Sequence, residues 1–129
     1  MKPETRYTAA VHRALKPIQG DLYFEKTNNP YRGGIPDFYY EERNAFWVEY
    51  KWLPSLPRVQ FTPSLSELQK RWLLRNFGNG HQPAVIVGTP KGGLILDYPD
   101  EWTGQVYIVN YRLRTPKEVA EWLKAKSTK

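Results

Sequence analysis

The sequence predicts an α/β protein with a central mixed β-sheet flanked by helices, and three observations lead there. Helical and strand-like patterns alternate along the chain in the order helix, three strands, helix, strands, helix. The run AVIV at 84–87 shows little alternation, as expected for a strand covered on both faces. The helical segment at 65–77 separates two strand candidates, so it can serve as the crossover between parallel neighbours. A chain of 129 residues fits a single domain spanning 1–129 around one core.

Taken in order, residues 3–15 read as a helix with Pro3 in its first turn and Pro17 and Gly20 beyond its end. Tyr7, Ala10, Val11, Ala14 and Leu15 form its apolar stripe. Glu4 precedes the Tyr7 and Val11 line by one turn and points to the same side. It could reach a metal site, or it could be a first-turn acid favoured by the helix dipole. His12, a lone histidine, reads as a surface or hydrogen-bonded residue rather than a ligand. Residues 21–26 form a short strand candidate, and TNNPYRGG at 27–34 a loop whose adjacent glycines permit close backbone approach. Lys26 and Arg32 beside that loop can lie along phosphates.

Ile35–Tyr40 is expected to be the strand carrying Asp37, joined through the polar EERN reversal at 41–44 to its hairpin partner, Ala45–Trp52. Three prolines in LPSLPRVQFTP at 53–63 rule out a long central strand or helix. That segment reads as an exposed crossing able to fold over a substrate or a second subunit, with Arg58 and Gln60 offering phosphate contacts. In the 65–77 helix, Ser64 and Glu67 fit a capping box, and Leu65, Leu68, Trp72 and Leu73 form the inward stripe. Gln69, Arg71 and Arg75 fall on its other faces, where the two arginines can meet nucleic acid. Gly78 and Gly80 close the helix.

Strands are expected at 84–87 and 94–97, with a further edge strand at 106–109 after the loop DEWTGQ. The last helix starts at Thr115, with Pro116 in its first turn, Glu118 completing a capping box and a stripe of Val119, Trp122 and Leu123. Lys124, Lys126 and Lys129 form a basic tail that can touch nucleic acid.

The 19 Lys and Arg residues outnumber 13 Asp and Glu, and the net charge of +6 favours a polyanionic partner. Without cysteine, disulfides and thiolate metal sites are excluded. No apolar run approaches the roughly 20 residues needed to span a bilayer, and the start MKPETRYTAA lacks a signal-peptide core. The expectation is an intracellular, cytoplasmic protein that does not engage membranes. The 15% aromatic content can stack on bases or simply fill a small core.

The chemistry is concentrated in GGIPDFYYEERNAFWVEYK at 33–51. On a strand, Glu49 and Lys51 share one face, and a neighbouring strand brings Asp37 to them. Asp37 and Glu49 can hold a hard divalent cation, Mg²⁺ or Mn²⁺, with the Tyr50 carbonyl as a further ligand. Such a cation polarises a phosphate and activates water, while Lys51 offsets transition-state charge. By composition alone, this trio is weak evidence for catalysis, because acid-x-lysine on a strand is common as an exposed ion pair.

Pro36 and Asp37, eleven intervening residues, then Glu49, Tyr50 and Lys51 resemble the PD-(D/E)XK nuclease superfamily. The resemblance implies a restriction-endonuclease-like core in which Asp37 and Glu49 bind Mg²⁺ and Lys51 assists the water. Members often carry a glutamate on the first helix, where Glu4 stands here; Glu25 is the alternative contributor. Gln69, within LSELQKRWL, is similar to the glutamine of the VRR-type and Holliday-junction-resolvase branches, as is the glycine-rich approach to Pro36. Compact members of this kind are frequently encoded by phages, which would place the protein in the host cytoplasm.

The resemblance implies a Mg²⁺-dependent endonuclease without a nucleotide cofactor. Backbone and shape recognition favour branched DNA, and the two-fold symmetry of a four-way junction calls for a homodimer, for which Trp52, Trp72, Trp102 and Trp122 offer apolar material. The alternatives are a restriction-type or nicking endonuclease on duplex DNA, a non-catalytic nucleic-acid-binding module, and an enzyme acting on RNA.

Overall fold

Pro3 opens α1 (Pro3–Leu15), which buries Tyr7, Val11 and Leu15 as its spacing predicts. This is seen in a computed structural model that describes residues 1–27 and 33–129. β1 (Tyr23–Lys26), β2 (Phe38–Glu41) and β3 (Ala45–Trp52) form an antiparallel meander. The two-residue β4 (Gln60–Phe61) follows, then α2 (Glu67–Gly78), which crosses over to β5 (Ala84–Thr89), parallel to β3. β6 (Gly92–Leu96) returns antiparallel, followed by the short α3 (Pro99–Thr103), β7 (Val106–Tyr107) and α4 (Pro116–Ser127). The main sheet has the order β1-β2-β3-β5-β6, the mixed α/β arrangement the sequence predicts.

Alternation of side chains along the central strands builds two cores. Phe46, Val48, Tyr50, Ala84, Ile86 and Ile95 meet α1 and α4 on one face. On the other, Val85, Val87, Leu94 and Leu96 meet Leu73 of α2 and Trp102 of α3. β5 is buried along its whole length, which explains why its sequence does not alternate.

Several expectations need correction. Asp37 precedes β2 instead of lying within it. Residues 106–109 do not extend the main sheet: β7 pairs with β4 in a separate two-stranded ribbon, and Ile108–Asn110 is a 3₁₀ turn. The expected loop at 100–105 contains part of α3, because Trp102 is buried and its indole donates to the Leu96 carbonyl at 2.9 Å. Trp102 is therefore core and offers nothing to an interface. The α2 capping box is Ser66 with Gln69, not Ser64 with Glu67, and Leu68 is 52% exposed instead of facing inward. Within the expected basic tail, Lys124 donates to Glu42 at 2.5 Å, and Lys126 is buried over the Phe46 and Trp122 rings. Neither presents a free ammonium to a polyanion.

One notch in the sheet fixes where α1 lies. Gly88 and Gly93 face each other across β5 and β6, and the ring of Tyr7 occupies the space their missing side chains leave. A Cβ on Gly88 would stand 2.6 Å from the Tyr7 ring. Tyr7 follows Glu4 by one turn, so the fit of this ring sets the height of Glu4 above the sheet. Gly88→Ala is expected to cost about 2 kcal/mol of stability through overpacking. Urea unfolding checks this, and a double-mutant cycle with Tyr7→Ala should remove most of the penalty.

Candidate active site

Pro36 explains how Asp37 comes to face β3. The β2–β3 register pairs Phe38 with Val48, so its continuation would set Pro36 opposite Tyr50. Proline has no N–H to extend a ladder, and its carbonyl accepts the Thr27 hydroxyl instead. Thr27 N–H donates to the Asp37 carbonyl at 2.8 Å, closing the base of the intervening loop. The Tyr50 N–H, left without a ladder partner, donates to Asp37 Oδ2 at 2.9 Å. N–H and C=O of one strand residue point to the same side, so the Tyr50 carbonyl is also directed toward Asp37.

Glu49 and Lys51 project from β3 toward α2. Lys51 Nζ lies 3.5 Å from Glu49 Oε2 and donates to Gln69 Oε1 at 3.2 Å. Gln69 Nε2 donates to Glu49 Oε2 at 3.0 Å, and Gln69 Oε1 also accepts the Ser66 N–H at 2.9 Å. One amide therefore caps α2 and connects both charged groups of the strand. Gly34 holds this helix end in place: at φ +89°, a Cβ there would meet the Leu68 carbonyl and the Gln69 nitrogen. The close approach permitted by the two glycines is thus made to the first turn of α2.

Burial is the main influence on the carboxylates of the site. Glu49 is only 4% exposed, and burial followed by the neighbouring Asp37 carboxylate pushes its pKa up to about 8 despite Lys51. Burial also raises Asp37, opposed by the Tyr50 N–H and by Lys51. Glu4 is raised by burial and then by Asp37, which places its charge within electrostatic reach of the pair. Glu49 Oε1 is buried and has no hydrogen-bond partner among the described residues. Asp37 and Glu49 are the close pair, and among the described residues no three Asp, Glu or His side chains gather tightly enough to hold a cation by themselves. An oxygen-rich site with two carboxylates, an adjacent carbonyl and an orphaned buried carboxylate oxygen fits a hard divalent ion that keeps several waters.

No protein-family model matches the chain, and no curated protein is similar to it in sequence. Among solved structures it is similar to Hjc, a Holliday junction resolvase from the archaeal hyperthermophile Archaeoglobus fulgidus. The TM-score is 0.59 at 16% identity, covering 90% of this chain and 98% of that one. The chain has the fold of this resolvase. The central mixed sheet flanked by helices that the sequence predicts is therefore a fold found in a solved structure.

Within this fold, the other sequence-derived candidates separate. Lys26, at the end of β1, lines a cavity of about 200 Å³ together with Glu4 and Asp37. Glu25 projects to the opposite face of β1 and accepts the Tyr23 hydroxyl at 2.7 Å, outside the lining of that cavity. Arg71 and Arg75 are exposed on α2 beside a shallow groove of about 180 Å³ that Leu68 and Trp72 also line. Arg75 lies over the Trp72 ring, 5.6 Å from its centre. Arg58 and Gln60 are exposed on and beside β4, and Arg32 lies outside the described residues. No helix is long and apolar enough to cross a membrane among the described residues.

Sequence reasoning missed Ser66 and the role of Pro36. Ser66-x-x-Gln69 was readable, since it satisfies the same capping pattern as Ser64-x-x-Glu67. Removing the amide in Gln69→Ala strips a partner from Glu49, Lys51 and the Ser66 N–H together. The expected cost is about 1–2 kcal/mol, read by thermal unfolding.

The titration of Glu49 has a defined sign in the metal-free protein. Between the ordinary 4.5 and about 8, the folded state keeps a proton that the unfolded chain has lost. Stability must therefore fall as pH rises through that window. Denaturant midpoints measured across it should show this slope in the wild type and a flatter profile in Glu49→Gln.

Proposed function

We propose that the protein is a metal-dependent endonuclease that hydrolyses DNA phosphodiester bonds, acting on branched DNA such as a four-way junction. The observation that carries this reading is the joining of Asp37, Glu49, Lys51 and Gln69 at one end of β3, within a fold shared with a junction resolvase. In this reading Asp37, Glu49 and the Tyr50 carbonyl hold Mg²⁺, for which Mn²⁺ can substitute. When bound, the cation neutralises phosphate charge and lowers the pKa of water.

The chain's own residues supply positioning and electrostatics. Lys51, oriented by Gln69, directs its ammonium at a non-bridging phosphate oxygen or at the attacking water, where it offsets charge developing in the transition state. Gln69 keeps Glu49 Oε2 occupied, leaving Oε1 as the free acceptor. Glu4 acts through water, since it stands outside the close carboxylate pair. Glu25 has no part. Arg58, Gln60, Arg71, Arg75 and Lys26 hold the DNA backbone away from the reacting phosphate, together with Arg32 by its place in the sequence. Two such centres cutting opposed strands require a homodimer.

Asp37→Ala is expected to lower cleavage by at least about 100-fold while junction binding persists. Undiminished cleavage would exclude the assignment and leave a non-catalytic binding module as the reading. Mg²⁺ should raise the melting temperature of the wild type but not of Asp37→Ala. In parallel assays of four-way junction, flap, nicked and linear DNA, with RNA counterparts, the junction should be cut fastest; preference for linear duplex would point to a restriction-type enzyme.

A further inference from the structure

The cavity beside Asp37 is larger than the metal chemistry requires. Its volume of about 200 Å³ exceeds that of several waters, at roughly 30 Å³ each. Two of its lining residues, Glu4 and Asp37, belong to the candidate metal centre. The others include Thr8 and Ala9 of α1, the His12 ring and the Phe38 ring. His12 is held rigidly there: its ring stacks on Phe24 at 4.3 Å, meets Phe38 edge-on at 4.7 Å and shares a hydrogen bond with the Tyr40 hydroxyl at 2.7 Å. Burial keeps the imidazole neutral, with its pKa lowered to about 4.

This distribution of groups selects a class of ligand. The Glu4 and Asp37 carboxylates outnumber the single Lys26 ammonium among the described lining residues and disfavour a phosphate inside the cavity. Ala9, His12 and Phe38 give the cavity an apolar and aromatic wall beside the Thr5 and Thr8 side chains. A planar heterocycle fits both: its faces find Phe38, His12 and Ala9, while ring N–H or amino groups can donate to Glu4 and Asp37. The space admits one base and not a base pair. Because Asp37 lines both sites, a phosphate reacting beside the Asp37 and Glu49 centre would have its adjoining nucleotide at the cavity mouth. Lys26, exposed at the end of β1, stands where it can take the next phosphate.

We propose that this cavity receives a single nucleobase, extruded from the strand, next to the phosphate to be cut. The inference rests on the nuclease reading and adds the substrate feature it selects: a base free to leave its stack. Paired, stacked bases pay the cost of extrusion in full, whereas bases at a branch point pay less. Discrimination of DNA structure would then arise at the chemical centre itself.

The test uses the full chain and a four-way junction carrying a fluorescent adenine analogue at successive positions around the cut, with Ca²⁺ replacing Mg²⁺ to permit binding without turnover. Wild-type binding should brighten one position flanking the cut. Ala9→Leu, which fills the cavity, should bind the junction but leave that position dark, and should cut about ten-fold more slowly. An abasic residue at that position should restore its rate, because no base then needs housing.

If the wild type cuts the junction and no position brightens, the pocket assignment fails while the nuclease reading stands. Equal brightening by the wild type and Ala9→Leu would also overturn it. If the wild type neither binds nor cuts any DNA, both readings fall together. Should Ala9→Leu not fold, the wild-type scan and the effect of the abasic residue on wild-type cutting still decide the matter.

Discussion

The side-chain amide of Gln69 ties the helix on one side of the sheet to the charges on its central strand. Its oxygen accepts from Lys51 and from the Ser66 N–H, and its nitrogen donates to Glu49. A carboxamide alone among neutral side chains has both a strong acceptor and two donors on one rigid plane. A carboxylate in its place would repel Glu49; an ammonium would compete with Lys51. Buried charge is tolerated only when it is paired and hydrogen-bonded, so Glu49 and Lys51 depend on this residue for their place in the interior. The dependence is mutual, because α2 begins where Gln69 can cap it.

The remaining parts of the site converge because β3 changes its style of pairing from one side to the other. It is antiparallel to β2 and parallel to β5, so the start of β2 and the ends of β3 and β5 lie at the same end of the sheet. Glu4 reaches that end from α1, whose position is set by Tyr7 in the Gly88 and Gly93 notch. Each acid is brought by a different device: a helix keyed to glycines, a proline that ends a ladder, and a strand pinned to a helix cap. Burial raises all three pKa values, and the Asp37 carboxylate adds to the rise at Glu4 and Glu49. A bound divalent cation is the kind of group that would relieve that electrostatic cost.

Much of this was legible from particular residues. The bounds of α1 and β3 follow from Pro3, Pro17 and the alternation of 45–52, and the α4 cap from Thr115, Pro116 and Glu118. Reading failed where two choices satisfied one local rule. Ser64 and Ser66 both open a capping pattern, and burial of Leu65 ahead of the helix decides for Ser66. Val106 and Tyr107 look like any short strand, but their partner is the distant β4, which the intervening prolines do not advertise. Lys126 carries the charge of a solvated tail and yet lies over Phe46 and Trp122.

Local chemistry in the sequence determined the acids, the lysine, their spacing on β3 and the proline before Asp37, because periodicity and backbone restriction act within a few residues. It left open which glutamate approaches the pair, what Gln69 touches, why the glycines stand where they do, and that a cavity opens behind Asp37. Those depend on packing between elements far apart in the chain. Glu4 and Glu25 are equally acidic in the sequence, but α1 lies against the face of the sheet that Glu25 turns away from. Only the tertiary structure sets that relation, since it arises from the seating of the Tyr7 ring between two glycines more than eighty residues later.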